Sequence, residues 1–138
     1  MVNRVEKLSL LSEMIAFAKY DKNIKNIEYN FLLGVAKQLR ISREDFEYLI
    51  EHPVTYTHLK SHSERIVQFH RLVLLMNIEQ ENTNDENNSA GEIKLYNFGL
   101  RMGLSHESIT KVLYLMECFP NKIVPPDVLI DIFKTQYN

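Results

Sequence analysis

The residues best placed to do chemistry are oxygen donors on loops. In Asp21-Lys22-Asn23-Ile24-Lys25-Asn26-Ile27-Glu28, Asp21 and Asn23 sit on a short turn, and Glu28 lies at the start of the helix that follows. Loop oxygens plus one helical carboxylate are what a hard divalent cation such as calcium or magnesium requires. The stretch is not an EF-hand. It is too short, lacks the turn glycine, and carries Lys25 where an acceptor is expected. The same residues also have a purely structural use, with Asp21 ending one helix and Glu28 complementing the dipole of the next. A second acidic stretch holds Glu79, Glu81, Asp85, Glu86 and Glu92, spread along a polar, Asn-rich segment that also reads as a solvated loop.

Other chemistries find less support. His58, His62 and His70 share a face only if the connector after Pro53 is helical, and no Glu-x-x-His pair accompanies them. Cys118, the single cysteine, lies between Met116 and Phe119 and reads as a buried, inert thiol. Gly-x-Ser-x-Gly and phosphate-cradling glycine loops are absent from the sequence, and no residue is assigned a catalytic role.

Helices must position these groups. Leu8, Leu11, Ile15 and Ala18 recur at helical spacing, predicting a helix over 5–20 with Glu6, Ser9, Glu13 and Tyr20 on its outer side. Ile27, Phe31, Leu32, Val35, Ala36 and Leu39 give a second helix over 26–40. Ser42-Arg43-Glu44-Asp45 resembles a capping box with Asp at its third helical position, opening a third helix that stops before Pro53. Residues 54–60 form a connector. Ile66, Phe69, Val73 and Met76, with Leu72, Leu74 and Leu75, make a fourth helix apolar nearly all round, suited to the centre of a bundle. Residues 80–89 contain almost nothing to bury and predict a loop. A fifth helix spans 91–103, Ser105 opens a sixth that reaches 118, and Pro125 and Pro126 suit the entrance of a seventh. Val128, Leu129, Ile132 and Phe133 turn that last helix onto the core.

The pattern occurs twice. Leu32, Val35, Ala36, Leu39 and Ser42 return 63 positions later as Leu95, Phe98, Gly99, Met102 and Ser105. The helices before them align at a spacing of 58, Leu11 with Phe69 and Ala18 with Met76, the second loop being longer. The reading is an all-α, single-domain bundle of about seven helices, with one repeat over 5–52, a second over 61–118 and a closing helix over 125–136. Ala36 and Gly99 are small enough to let helices approach closely.

Bulk composition sets the limits. A net charge of −2 without a basic run argues against nucleic acid as the partner. A lone cysteine fits a reducing compartment. The N-terminus lacks an apolar signal region, and no segment approaches the roughly 20 apolar residues of a membrane span. A cytoplasmic protein without membrane insertion is expected.

With these pieces assembled, the chain resembles the TerB-like family, named for a tellurite-resistance protein. The family pattern is an apolar helix, Asp-Gly-x-Ile-x-x-x-Glu, a second apolar helix, a short Leu/Ile-Ser turn and another helix, used twice. Asp21, Ile24 and Glu28 match it in AKYDKNIKNIEYNFLLGVAKQLRISREDF, with Lys22 where the pattern has glycine. In GEIKLYNFGLRMGLSHESI, Glu92 stands at the family's glutamate, and either Glu79 or Asp85 opens that second copy. The C-terminal VPPDVLIDIFK is also similar to small TerB-like proteins, so the resemblance covers roughly residues 8–134. It implies two pseudo-symmetric helical units and a non-enzymatic module. It implies a divalent cation, calcium foremost, on Asp21, Asn23, Glu28, Glu79, Asp85 and Glu92. It also implies a place in tellurite or stress resistance. Partners would be other proteins, or a second copy of the chain, with Phe133 and Tyr137 as apolar residues offered to them. The alternative is an adaptor that needs no ion.

Overall fold

The computed structural model describes residues 3–19, 24–57, 59–81, 89–120 and 123–136. They form seven helices and no strand: α1 (Arg4–Lys19), α2 (Asn26–Gln38), α3 (Arg43–Glu51), α4 (His62–Glu81), α5 (Ser89–Arg101), α6 (His106–Met116) and α7 (Pro126–Gln136). The protein is an all-α helical bundle that divides into two compact units, Met1–Leu59 and Lys60–Asn138. The division falls between the two sequence repeats.

In the first unit α1, α2 and α3 pack against one another in all three pairings. Arg4 reaches Asp45 at 3.1 Å, and the Lys19 ammonium donates to the Ile50 carbonyl at 3.4 Å. Both ends of α1 therefore meet corresponding ends of α3, and the two helices run in the same direction. Short connections between three consecutive helices require that arrangement. Leu11, Met14, Phe17, Leu32 and Phe46 fill the interior.

The N-terminus of α1 is closed by a reciprocal capping box. The Glu6 N–H donates to Asn3 Oδ1 at 2.8 Å, and the Asn3 N–H donates to Glu6 Oε1 at 3.4 Å. Glu6, Ser9 and Glu13, expected on the outer side of α1, are buried instead. For Ser9 the cause is the connector, whose residues 54–57 run back along the helix. The Thr57 N–H donates to Ser9 Oγ at 2.7 Å, and the same hydroxyl donates to the Thr57 carbonyl at 3.2 Å. The Val54 N–H donates to Ser12 Oγ at 3.3 Å. Tyr20, the fourth residue expected on that side, lies outside the described residues.

In the second unit α4 packs on α5, α5 on α6, α6 on α7 and α7 on α4. Leu72, Val73, Leu75 and Met76 of α4 are fully buried, as its all-round apolar sequence predicts. Phe133 is also fully buried. Its ring meets Phe69 edge-on at 5.8 Å, a contact worth about 0.5–1.5 kcal/mol beyond burial. It is a core residue and not a partner contact, because α7 turns it toward α4. Tyr137 lies outside the described residues.

The repeat is exact in its hydrogen bonding at one place. After α2, the N–H groups of Leu39, Arg40 and Ile41 donate to the carbonyls of Val35, Lys37 and Ala36. After α5, those of Met102, Gly103 and Leu104 donate to Phe98, Leu100 and Gly99. Each residue in the second set lies 63 positions after its counterpart. The bonds are those of a Schellman motif, which satisfies the last carbonyls of a helix. The next helix then opens on a serine cap: Ser42 Oγ accepts from the Asp45 N–H and Ser105 Oγ from the Ser108 N–H, both at 3.1 Å. Each cap contributes about 1 kcal/mol.

Candidate functional site

Of the expected cation ligands, Glu28 and Glu92 are the two whose side chains are described. Asp21, Asn23 and Asp85 lie outside the described residues. Glu79 falls in the last turn of α4, and its side chain lies outside them too.

Glu28 is the third residue of α2, after the N-cap Lys25, which makes no side-chain cap bond. Its exposure is 0%, and both carboxylate oxygens lie beneath the surface. A carboxylate taken out of water needs positive charge around it. The N-terminus of α2 is favourable for such a charge, because its first-turn N–H groups are directed toward the end of the helix. One turn further on, Leu32 is also fully buried, so Glu28 belongs to the inward face of the helix.

The second half is built differently at this point. The register fixed by the matched turns puts Gly91 at the place of Glu28, and Glu92 at the place of Tyr29. One residue corresponds to a rotation of about 100° around a helix. Glu92 accordingly sits half-buried on the first turn of α5 and not on its inward face.

A brace that the sequence reading passed over holds α2 to α3. The Tyr29 hydroxyl donates to Glu47 Oε1 at 2.8 Å, and Arg43 Nε donates to the same oxygen at 3.3 Å. The tyrosine bond, and then the arginine, hold the Glu47 carboxyl below its ordinary range. The Tyr29 ring also meets Phe46 at 5.4 Å. The brace begins one residue after Glu28, so it fixes the rotation of the turn that carries the buried acid. The spacing of Arg43 and Glu47, four apart on one helix, was the available signal. In the second half Tyr96 and His106 are hydrogen-bonded, with rings edge-on at 5.4 Å.

The remaining candidates separate. His58 lies outside the described residues. His62 and His70 are half-buried on α4, eight residues apart. Among the described residues, no group of three or more His, Cys, Asp or Glu side chains is placed to hold a metal ion. Cys118, read as buried, is exposed, because α6 ends at Met116 and the chain turns outward there. No helix among the described residues is long and apolar enough to cross a membrane.

The chain matches no protein-family model, no curated protein and no solved structure. Its functional reading therefore rests on its own residues.

Proposed function

We propose that the chain is a non-enzymatic TerB-like helical module that takes a divalent cation, calcium foremost, at the elbow between α1 and α2, and serves a tellurite or stress-response assembly. The observation that carries the reading is the complete burial of the Glu28 carboxylate on the first turn of α2, a few residues after Asp21 and Asn23 in the sequence. A hard cation needs carboxylate and amide oxygens, and Asp21, Asn23 and Glu28 supply those types in sequence. Glu28 would be the inward ligand, and the Tyr29–Glu47–Arg43 brace would hold its helix turn in place. The ion's contribution would be charge neutralisation and cross-linking of the elbow, with no reaction assigned to it.

Calorimetric titration with calcium tests the proposal. Binding heat in the native chain, weakened at least tenfold in Glu28→Gln, is the expected result. Absence of heat, with an unchanged melting temperature at millimolar calcium, would remove the ion and leave the scaffold.

A second reading, a protein-interaction adaptor that needs no ion, is favoured by apolar side chains left in solvent. Ile93 on α5 is 60% exposed and Tyr114 on α6 is 74% exposed. Partner binding unchanged by chelation would favour this reading over the first.

A further inference from the structure

The outer face of α7 is apolar at its middle and oppositely charged toward its two ends. Leu129, Ile132 and Phe133 are buried where the helix packs on α4 and α6. Ile130 is 45% exposed, and Asp127, Asp131 and Lys134 are exposed as well. Asp127 stands in the first turn and Lys134 in the last, so each charge suits the dipole of its own helix. Their placement around the helix does more. An α-helix turns by about 100° per residue, which puts Asp127 about 60° and Lys134 about 40° round from Ile130, on the same side of it. In height the two charges lie about 5 Å below and above the point midway between Ile130 and Asp131. Asp131 lies about 100° round from Ile130, at the rim of the face.

A two-fold axis across a pair of packed antiparallel helices reverses height and leaves left and right unchanged. Residues meet across such an axis when they stand on the same side at opposite heights. Asp127 and Lys134 stand in that relation. We propose that α7 is a self-association face, on which two copies of this chain pair through antiparallel α7 helices. Ile130 packs against Ile130 of the second copy at the centre, and Asp127 of each chain meets Lys134 of the other. A parallel pair would set like charges level with each other. The occupant is a second copy because the face is complementary to itself in charge and carries its apolar residue at the axis. One helix face buries less than the roughly 1,200 Å² of ordinary stable complexes, so the dimer is weak and reversible. The charges fix its register and direction more than its strength. The inference is independent of the cation reading and is tested without calcium.

The test is sedimentation equilibrium of the chain from micromolar to millimolar concentration, for the native protein, for Lys134→Asp, for Asp127→Lys and for Ile130→Ser. The native chain should dimerise at low salt and do so more weakly at high salt, which screens exposed charges. Lys134→Asp and Asp127→Lys each oppose like charges at both ends of the pair, and each alone should associate at least about tenfold more weakly. Mixed in equal amounts, the two variants should associate again, because one then offers only acids to the lysines of the other. That recovery also shows that both variants are folded. Ile130→Ser should weaken the dimer without changing any charge, and circular dichroism should match the native chain because the side chain replaced is exposed. A native chain that stays monomeric leaves the face to another protein or to solvent, and overturns the proposal. So does native-like association of either charge variant alone, or a mixture that stays monomeric.

Discussion

Arg40 and Gly103 occupy the same station in the two halves, each the left-handed residue that ends a helix, with φ of 61° and 85°. Each donates its N–H to the carbonyl three residues back, at 3.0 Å. The backbone there demands positive φ whatever side chain is present. Glycine meets that demand without a β-carbon clash, whereas an L residue such as arginine is strained by about 1 kcal/mol or more. Arg40→Gly should therefore stabilise the protein, by about 0.5 kcal/mol after the extra freedom of glycine in the unfolded chain is counted. Gly103→Ala should destabilise it by about 1 kcal/mol. Urea unfolding midpoints of the two variants, moving in opposite directions, check the pair.

Gly99 and Gly34 are both helical glycines with opposite surroundings. A β-carbon on Gly99 would come within 2.7 Å of Ile109 Cδ1 and 3.3 Å of Phe69 Cε1, so α5 approaches both α4 and α6 closely there. Its counterpart Ala36 is buried in a half where Leu11 takes the place of Phe69 and leaves room for a methyl group. Gly99→Ala should cost about 1–3 kcal/mol through overpacking. Nothing lies within 4 Å of a β-carbon on Gly34, and Gly34→Ala should add about 0.5–1 kcal/mol through helix propensity alone. Thermal unfolding of both variants tests the contrast.

Helical periodicity made the bundle legible in the sequence, because Leu72, Leu75 and Met76 or Leu32 and Ala36 can be buried only on helices. The serine caps were legible for a local reason: Ser42 and Ser105 act on amides three residues away. What misled were contacts made at long range. Ser9 looks like a solvent residue until the connector, 48 positions along the chain, is seen to bond to it. Cys118 looked buried because the apolar residues beside it continue past the end of α6. Glu28 was legible as a first-turn acid, but its burial depends on packing that no local pattern encodes.

If the buried carboxylate carries the cation, the two halves should differ in ion affinity. Glu28 is inward on α2, while Gly91 holds that station on α5 and Glu92 is turned aside. Glu28→Gln should weaken calcium binding at least tenfold, and Glu92→Gln should change it less than threefold, with one ion bound per chain. Titration of both variants decides. An equal loss from each would show that register does not govern the site.

His70 gives stability a pH dependence of predictable sign. Burial, and then the neighbouring Arg71 charge, push its pKa below the ordinary 6.5. The ring nitrogen Nε2 is buried, so the folded state favours the neutral imidazole. Below pH 6.5 the unfolded chain takes up a proton that the folded chain still refuses, and the balance shifts toward unfolding. His70 therefore contributes no pH dependence well above 6.5. It lowers stability progressively as the pH falls from 6.5 toward the depressed folded value, and adds no further slope below that value. His70→Gln should flatten this part of the profile, so that its melting temperature falls less than the native protein's between pH 7 and pH 5. A parallel loss in both proteins would place the acid sensitivity in another group.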